Sequence, residues 1–132
     1  MAVDSLGLRA ARYTLLVGTM DYILRAVNGR VGAPAEFALS QNYPNPFNPS
    51  TAIRYQLAKP GRVEVVLYNV RGVRVATLLD RSQAEGYYSL RWSGADDRGR
   101  ALASGVYFYR ITVKSEGGRL LFTKQRRMAL VK

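Results

Sequence analysis

The sequence predicts an all-β fold: an antiparallel sandwich of about seven strands, preceded by an N-terminal extension. Three observations point there. Glycines at 61, 72, 86, 94, 99, 105 and 117 punctuate the chain at intervals of 5 to 14 residues, the spacing of short strands joined by tight turns. Between them, apolar and polar residues alternate with a period of two. Four of the five prolines fall within Pro34–Pro49. There the fixed φ and the missing amide hydrogens forbid a helix or a central strand.

Taken in order, residues 1–36 read as an extension with a strand-like segment over 12–27 and a linker over 28–36. The segment holds Tyr13, Leu15, Val17, Tyr22 and Ile23, too many apolar groups to leave in water at roughly 1.5–3 kcal/mol each on burial. The sandwich then occupies residues 37–132. Phe37–Leu39 opens it, and an extended entry segment runs through the prolines with Phe37, Leu39, Tyr43 and Phe47 as its apolar anchors. Thr51–Leu57 alternates cleanly, with Ile53, Tyr55 and Leu57 on one face. Gly61–Val70 follows with Val63, Val65 and Leu67. The turn Val70–Gly72 leads into a strand over Gly72–Leu79. Tyr88, Leu90 and Trp92 alternate with Ser89 and Arg91. Gly105–Lys114 places Tyr107, Tyr109, Ile111 and Val113 on one face. The paired glycines of Glu116–Gly118 make a hairpin turn, and Arg119–Val131 returns as the last strand. About seven strands in this order make a sandwich of immunoglobulin type.

Composition bounds the chemistry. Apolar residues make up 48% and charged residues 22%, a globular balance that argues against disorder. The absence of cysteine removes disulfides, thiolate metal sites and a cysteine nucleophile. The absence of histidine removes a Ser-His-Asp triad, a histidine base and imidazole-bound zinc. A non-enzymatic binding, sorting or structural module with no cofactor is the expectation. The net charge is +11, and residues 37–132 hold 16 basic and 6 acidic side chains. Arg119–Lys132 contains five cations and no acid. Such a field attracts polyanions in general, and no nucleic-acid-binding motif accompanies it. No apolar run approaches the ~20 residues of a membrane span, and no signal peptide is visible in the chain.

Five blocks, in order, then carry a resemblance. They are Asn42-Tyr43-Pro44-Asn45-Pro46-Phe47-Asn48-Pro49-Ser50-Thr51 with Ile53–Leu57, Leu67–Val75, Trp92-Ser93-Gly94, Asp97-Arg98-Gly99-Arg100, and Ser104–Arg110. Over about Phe37–Lys132 the chain resembles the C-terminal sorting domain of type IX secretion cargo proteins. That domain is similar to the immunoglobulin-like domain of the flagellar hook-capping protein. The resemblance implies a bacterial extracellular or outer-membrane-surface location. It also implies recognition by an outer-membrane export machinery through the C-terminal strands, followed by cleavage or attachment to anionic lipopolysaccharide. Unlike such cargo, this chain shows neither a signal peptide nor a large functional domain, and Tyr13–Thr19 looks like the last strand of a preceding domain.

Several motifs have two readings. Asn42, Pro44, Asn45, Pro46 and Phe47 form either a recognition loop, whose prolines reduce the entropy lost on binding, or a rigid cover that blocks sheet-to-sheet pairing. Lys124, Arg126, Arg127 and Lys132 form either a strip that meets the export machinery or lipopolysaccharide, or a solvated edge that resists aggregation. Asp96–Gly99 suits a turn better than half of a calcium loop. Gly105–Tyr109 suits a core strand better than a sugar-stacking platform. Glu64 and Glu85 are surface residues rather than a carboxylate pair for glycoside chemistry. An alternative function is a self-assembling extracellular filament or surface subunit. In it, Tyr13, Leu15, Val17, Tyr22 and Ile23 would add a strand to a neighbouring copy, giving a homo-oligomer. A third reading, an anionic-glycan or nucleic-acid binder, predicts affinity that falls steeply with salt.

Overall fold

The computed structural model describes residues 33–132. The expected extension over 12–27, with the assembly residues Tyr13, Leu15, Val17, Tyr22 and Ile23, lies outside the described residues. Seven strands are present among those described: β1 (Ala38–Leu39), β2 (Thr51–Leu57), β3 (Gly61–Tyr68), β4 (Arg74–Gln83), β5 (Gly86–Trp92), β6 (Gly105–Lys114) and β7 (Leu120–Leu130). They form a three-stranded sheet in the order β1-β2-β5 and a four-stranded sheet in the order β4-β3-β6-β7, with all strand pairs antiparallel. This is the immunoglobulin-like sandwich that the alternation predicts.

The period-two pattern decides what faces inward. Ile53, Tyr55 and Leu57 from one sheet meet Val63, Val65, Leu67, Tyr107, Tyr109, Ile111 and Val113 from the other, all buried. Met128 and Leu130 close the core from β7, and Trp92 closes it from β5. Among the side-chain bonds that tie the sheets, the Tyr55 hydroxyl on β2 donates to Gln83 Oε1 on β4 at 2.6 Å. Gly61 is required by close approach: a Cβ there would sit 2.7 Å from the Lys114 carbonyl oxygen.

Three turns share one construction. In each, the first residue (Asn69, Asp96 or Ser115) receives the amide of the glycine three residues on, at 2.8–2.9 Å, on its own carbonyl. Its side-chain oxygen accepts the amide of the residue after that glycine, at 3.0, 2.9 and 3.2 Å respectively. The glycines Gly72, Gly99 and Gly118 take φ of 81°, 81° and 88°, the left-handed region in which a side chain is strained. Only the second glycine of the Gly117-Gly118 pair has positive φ, because the turn needs one left-handed residue rather than two.

Four expectations are corrected. Tyr43 is not an apolar anchor but 72% exposed, since its backbone, not its ring, is held, in a bridge to Ala52. β3 stops at Tyr68 because Asn69 already begins its turn. The last strand spans Leu120–Leu130 rather than Arg119–Val131, because Arg119 still closes the Ser115 turn. The strand expected over Gly72–Leu79 runs instead over Arg74–Gln83. Register shifts against β3 between Val65 and Val66 and between Leu67 and Tyr68 break its alternation, and bulges of this kind hide a strand from a period-two reading.

Candidate functional site

The proline-rich segment after β1 crosses from one sheet to the other. Tyr43 pairs with Ala52 beside the three-stranded sheet, and four residues later Phe47 bridges Leu130 of the four-stranded sheet in parallel. Phe47 N–H donates to the Ala129 carbonyl at 3.0 Å, and Val131 N–H donates to the Phe47 carbonyl at 2.9 Å. Asn45 Oδ1 accepts the Ala129 amide at 3.0 Å, and Gln41 Nε2 donates to the Arg127 carbonyl at 2.7 Å. The free edge of β7 is therefore occupied from Arg127 to Val131, which satisfies the backbone groups that an edge strand leaves open. The edge-cover reading of Asn42–Pro49 is realised in this geometry.

Buried polar groups hold the segment in place. Asn42 and Thr51 are the buried polar residues among those described. Asn42 Nδ2 donates to the Pro44 carbonyl at 3.1 Å and to Thr51 Oγ1 at 3.0 Å. Thr51 Oγ1 in turn donates to the Pro44 carbonyl at 2.9 Å. Asn42 Oδ1 accepts from Gln41 Nε2 at 2.7 Å. The Tyr109 hydroxyl, on β6, accepts the Asn42 amide at 2.8 Å and donates to the Ser40 carbonyl at 2.7 Å. Burial pushes this phenol up to about 12, against the opposing pull of the Asn42 amide and the Arg126 charge. Phe47 is the apolar anchor, 1% exposed, with its ring 5.5 Å from the Trp92 ring at 55°. Pro44, Asn45 and Pro46 form the exposed crest between these anchors.

The four basic residues of the C-terminal strand are divided by the pleat. Lys124 and Arg126 share the row that continues into buried Met128 and Leu130, whereas Arg127 lies on the opposite row. Arg126 is half-buried, and its Nε donates to the Leu39 carbonyl at 2.6 Å, so this cation links β7 to β1. Lys124, Arg127 and Lys132 are exposed, with the Lys132 amide donating to Ser104 Oγ at 3.0 Å. Three of the expected cations thus flank the covered edge, and the fourth helps to build it.

The remaining candidates resolve simply. Asp96 Oδ1 accepts the amides of Arg98 and Arg100, both at 2.9 Å, and Oδ2 pairs with Arg100 Nε at 3.1 Å. The Arg100 amide is the main cause holding this carboxyl below its ordinary value. Asp97 Oδ1 accepts the Thr77 amide on the edge of β4 at 2.8 Å. Both carboxylates of this turn therefore serve the backbone. Tyr107 and Tyr109 are core residues. Glu64 pairs with Arg74 at 3.5 Å on the outer face of β3. The roles of Gln41, Thr51 and Tyr109 in seating the entry segment were not legible from local sequence. The available signal was a tyrosine at a core position, whose hydroxyl needs a partner once buried.

The family model described as the FlgD Ig-like domain matches residues 47–118. No curated protein matches the chain. Among solved structures, dimeric latent PorU from Porphyromonas gingivalis is similar at 23% identity and a TM-score of 0.61, over 77% of this chain and 10% of that one. FlgD from P. aeruginosa is similar at 21% identity and a TM-score of 0.51, over 61% of each chain. FlgD from Xanthomonas campestris, whose hook capping is essential for flagellar assembly, is similar at 22% identity and a TM-score of 0.50, over 72% of this chain and 67% of that one. The chain thus spans about a tenth of the PorU chain and about three fifths of the first FlgD. At these identities the likeness concerns the fold alone. The family match, which covers more than half of the residues and runs from the buried Phe47 to the last hairpin turn, places the chain in the FlgD Ig-like domain family.

Proposed function

We propose that this domain is a non-catalytic protein-recognition module that sorts a bacterial protein for export by a type IX machinery and anchors it at the cell surface. One observation carries the reading. The two elements that the sorting-domain resemblance singles out, Asn42–Phe47 and the basic C-terminal strand, lie far apart in sequence. They are hydrogen-bonded side by side through the Phe47–Leu130 bridge. A machinery that reads the exposed crest Pro44-Asn45-Pro46 would meet Arg127 and Lys132 in the same encounter. It would therefore read a folded feature rather than a linear tag. The exposed cations would steer the domain toward an acidic machinery surface or anionic lipopolysaccharide. The proposed boundary sets residues 1–36 apart as an extension from the recognition domain 37–132.

The test is to fuse the full 132-residue chain to the C-terminus of an exported reporter. The fusion is expressed in a type IX-competent bacterium and in a strain lacking the translocon. The expected result is reporter on the surface of the first strain and retained in the periplasm of the second. Retention in both strains, with the domain folded, would overturn the reading.

A further inference from the structure

We infer that the outer face of the four-stranded sheet carries a second interaction surface, centred on Tyr68, Phe108 and Arg110, that takes an acidic segment of a partner protein. This surface goes beyond the sorting reading, because it is centred on the broad face of β3 and β6 and meets the covered edge of β7 only at Arg127.

A sheet with one solvated face is expected to be polar there. Here the outward rows split. Toward one end, Arg62, Glu64 and Asp80 sit with Thr112 and Thr123, and Arg62 pairs with Asp80 at 2.9 Å. Toward the other end, Tyr68 lies opposite Phe108, Phe108 lies opposite Arg127, and Arg110 lies opposite Gln125. Both rings are only half-buried. The Arg110 guanidinium carbon sits 4.6 Å from the Tyr68 ring centroid. A shallow recess of about 240 Å³ opens here, lined by Tyr68, Val70, Phe108, Arg110 and Gln125 among others. Exposed Val70 (67%) and Val106 (39%) extend the apolar area. Tyrosine and arginine around a recess, rimmed by apolar side chains, are the composition of protein-binding hot spots. Exposed valines suit a protein side chain better than a sugar.

Charge selects the occupant. Arg71, Arg110 and Arg127 make no ion pair among the described residues, and Arg74 alone on this end is paired, with Glu64. The first 32 residues of the chain hold four arginines against Asp4 and Asp21, so they are themselves basic. A second copy brings a net charge of +11. Such a copy would be repelled, whereas a segment with carboxylates around an apolar side chain would place its acids on Arg110 and Arg127 and its apolar group over Phe108.

The test uses the full chain, isotope-labelled, and a synthetic peptide of glutamates around a central phenylalanine, followed by NMR. Chemical-shift changes are expected to concentrate at Tyr68, Asn69, Phe108, Arg110 and Gln125. Arg110→Glu and, separately, Arg110→Gln should each weaken binding about tenfold, with the remaining spectrum unchanged. A peptide with glutamine for glutamate should not bind. Three results would overturn the inference: shifts spread evenly over the exposed cations, binding unaffected by both variants, or tighter binding at the same residues by polygalacturonate. Because Arg110 and Tyr68 take no part in the covered edge, export of the reporter fusion in the Arg110→Glu chain separates failure here from failure of the sorting reading.

Discussion

Tyr109 contributes to two things at once, filling the core and holding the entry segment through its hydroxyl. Replacing it by phenylalanine keeps the ring but leaves the buried Asn42 amide and the Ser40 carbonyl without this partner. Tyr109→Phe should lower unfolding free energy by about 1–3 kcal/mol, measured by urea titration with the slope unchanged. Phe47→Ala should lower it more, by about 3–5 kcal/mol. It should also shift Trp92 emission to the red, since the ring beside Trp92 is lost. A Phe47→Ala chain of undiminished stability would show that the segment is not docked on the core. The burial of Phe47 was legible in the sequence, as the large apolar residue in a run of prolines and asparagines. The burial of Asn42 was not, because a buried amide is acceptable only once its partners are known, and Thr51 and Tyr109 come from other strands.

Titration belongs to the elements that hold the groups. Burial raises the Tyr55 and Tyr109 phenols to about 12 from the ordinary tyrosine value of 10.0. The unfolded chain releases these protons first, so stability is fully present below about pH 10 and declines as pH rises through about 12. Tyrosinate absorbance should show these two tyrosines ionising late in the native protein, with one fewer late tyrosine in Tyr109→Phe. The turn at Asp96 behaves oppositely. Its carboxyl is held low, chiefly by the Arg100 amide, so its contribution is complete above the ordinary aspartate value and is lost as pH falls through the depressed one. Asp96→Ala should flatten that acidic limb of the stability profile. Gly99→Ala should destabilise the same turn by about 1–2 kcal/mol at any pH, from its left-handed φ. Cleanly alternating strands such as β2 and β6 were readable end to end. β4 was not, because each register shift against β3 inverts the alternation beyond it. The Asp-x-x-Gly turn was readable as a turn, but the same construction at Asn69 and Ser115 shows only when the side-chain bonds are placed.

Across the molecule, the chain uses its N-terminal entry to finish its C-terminal edge. The predicted consequence is that residues 34–132 fold on their own, with the cooperative unfolding of the full chain. Further truncation to residue 48 should abolish that transition, because Phe47 and the seat of Asn42 are lost together. Circular dichroism during thermal unfolding distinguishes the two. The sandwich and its candidate elements were visible in the sequence because period-two burial and proline placement are local signals. The joining of Asn42–Phe47 to Arg127–Val131 was not, since nothing in either segment records the other. The pleat also divided a basic run that reads as one strip: Arg126 turns inward to Leu39 while Arg127 faces solvent.

The most direct measurement is protease accessibility of the reporter on intact type IX-competent cells, comparing the native chain with Lys124→Glu/Arg127→Glu/Lys132→Glu. All three residues are exposed, so the variant should fold. The native fusion should be cleaved at the surface, and the folded variant should be retained and protected. Equal cleavage of both would contradict recognition through the basic C-terminal edge.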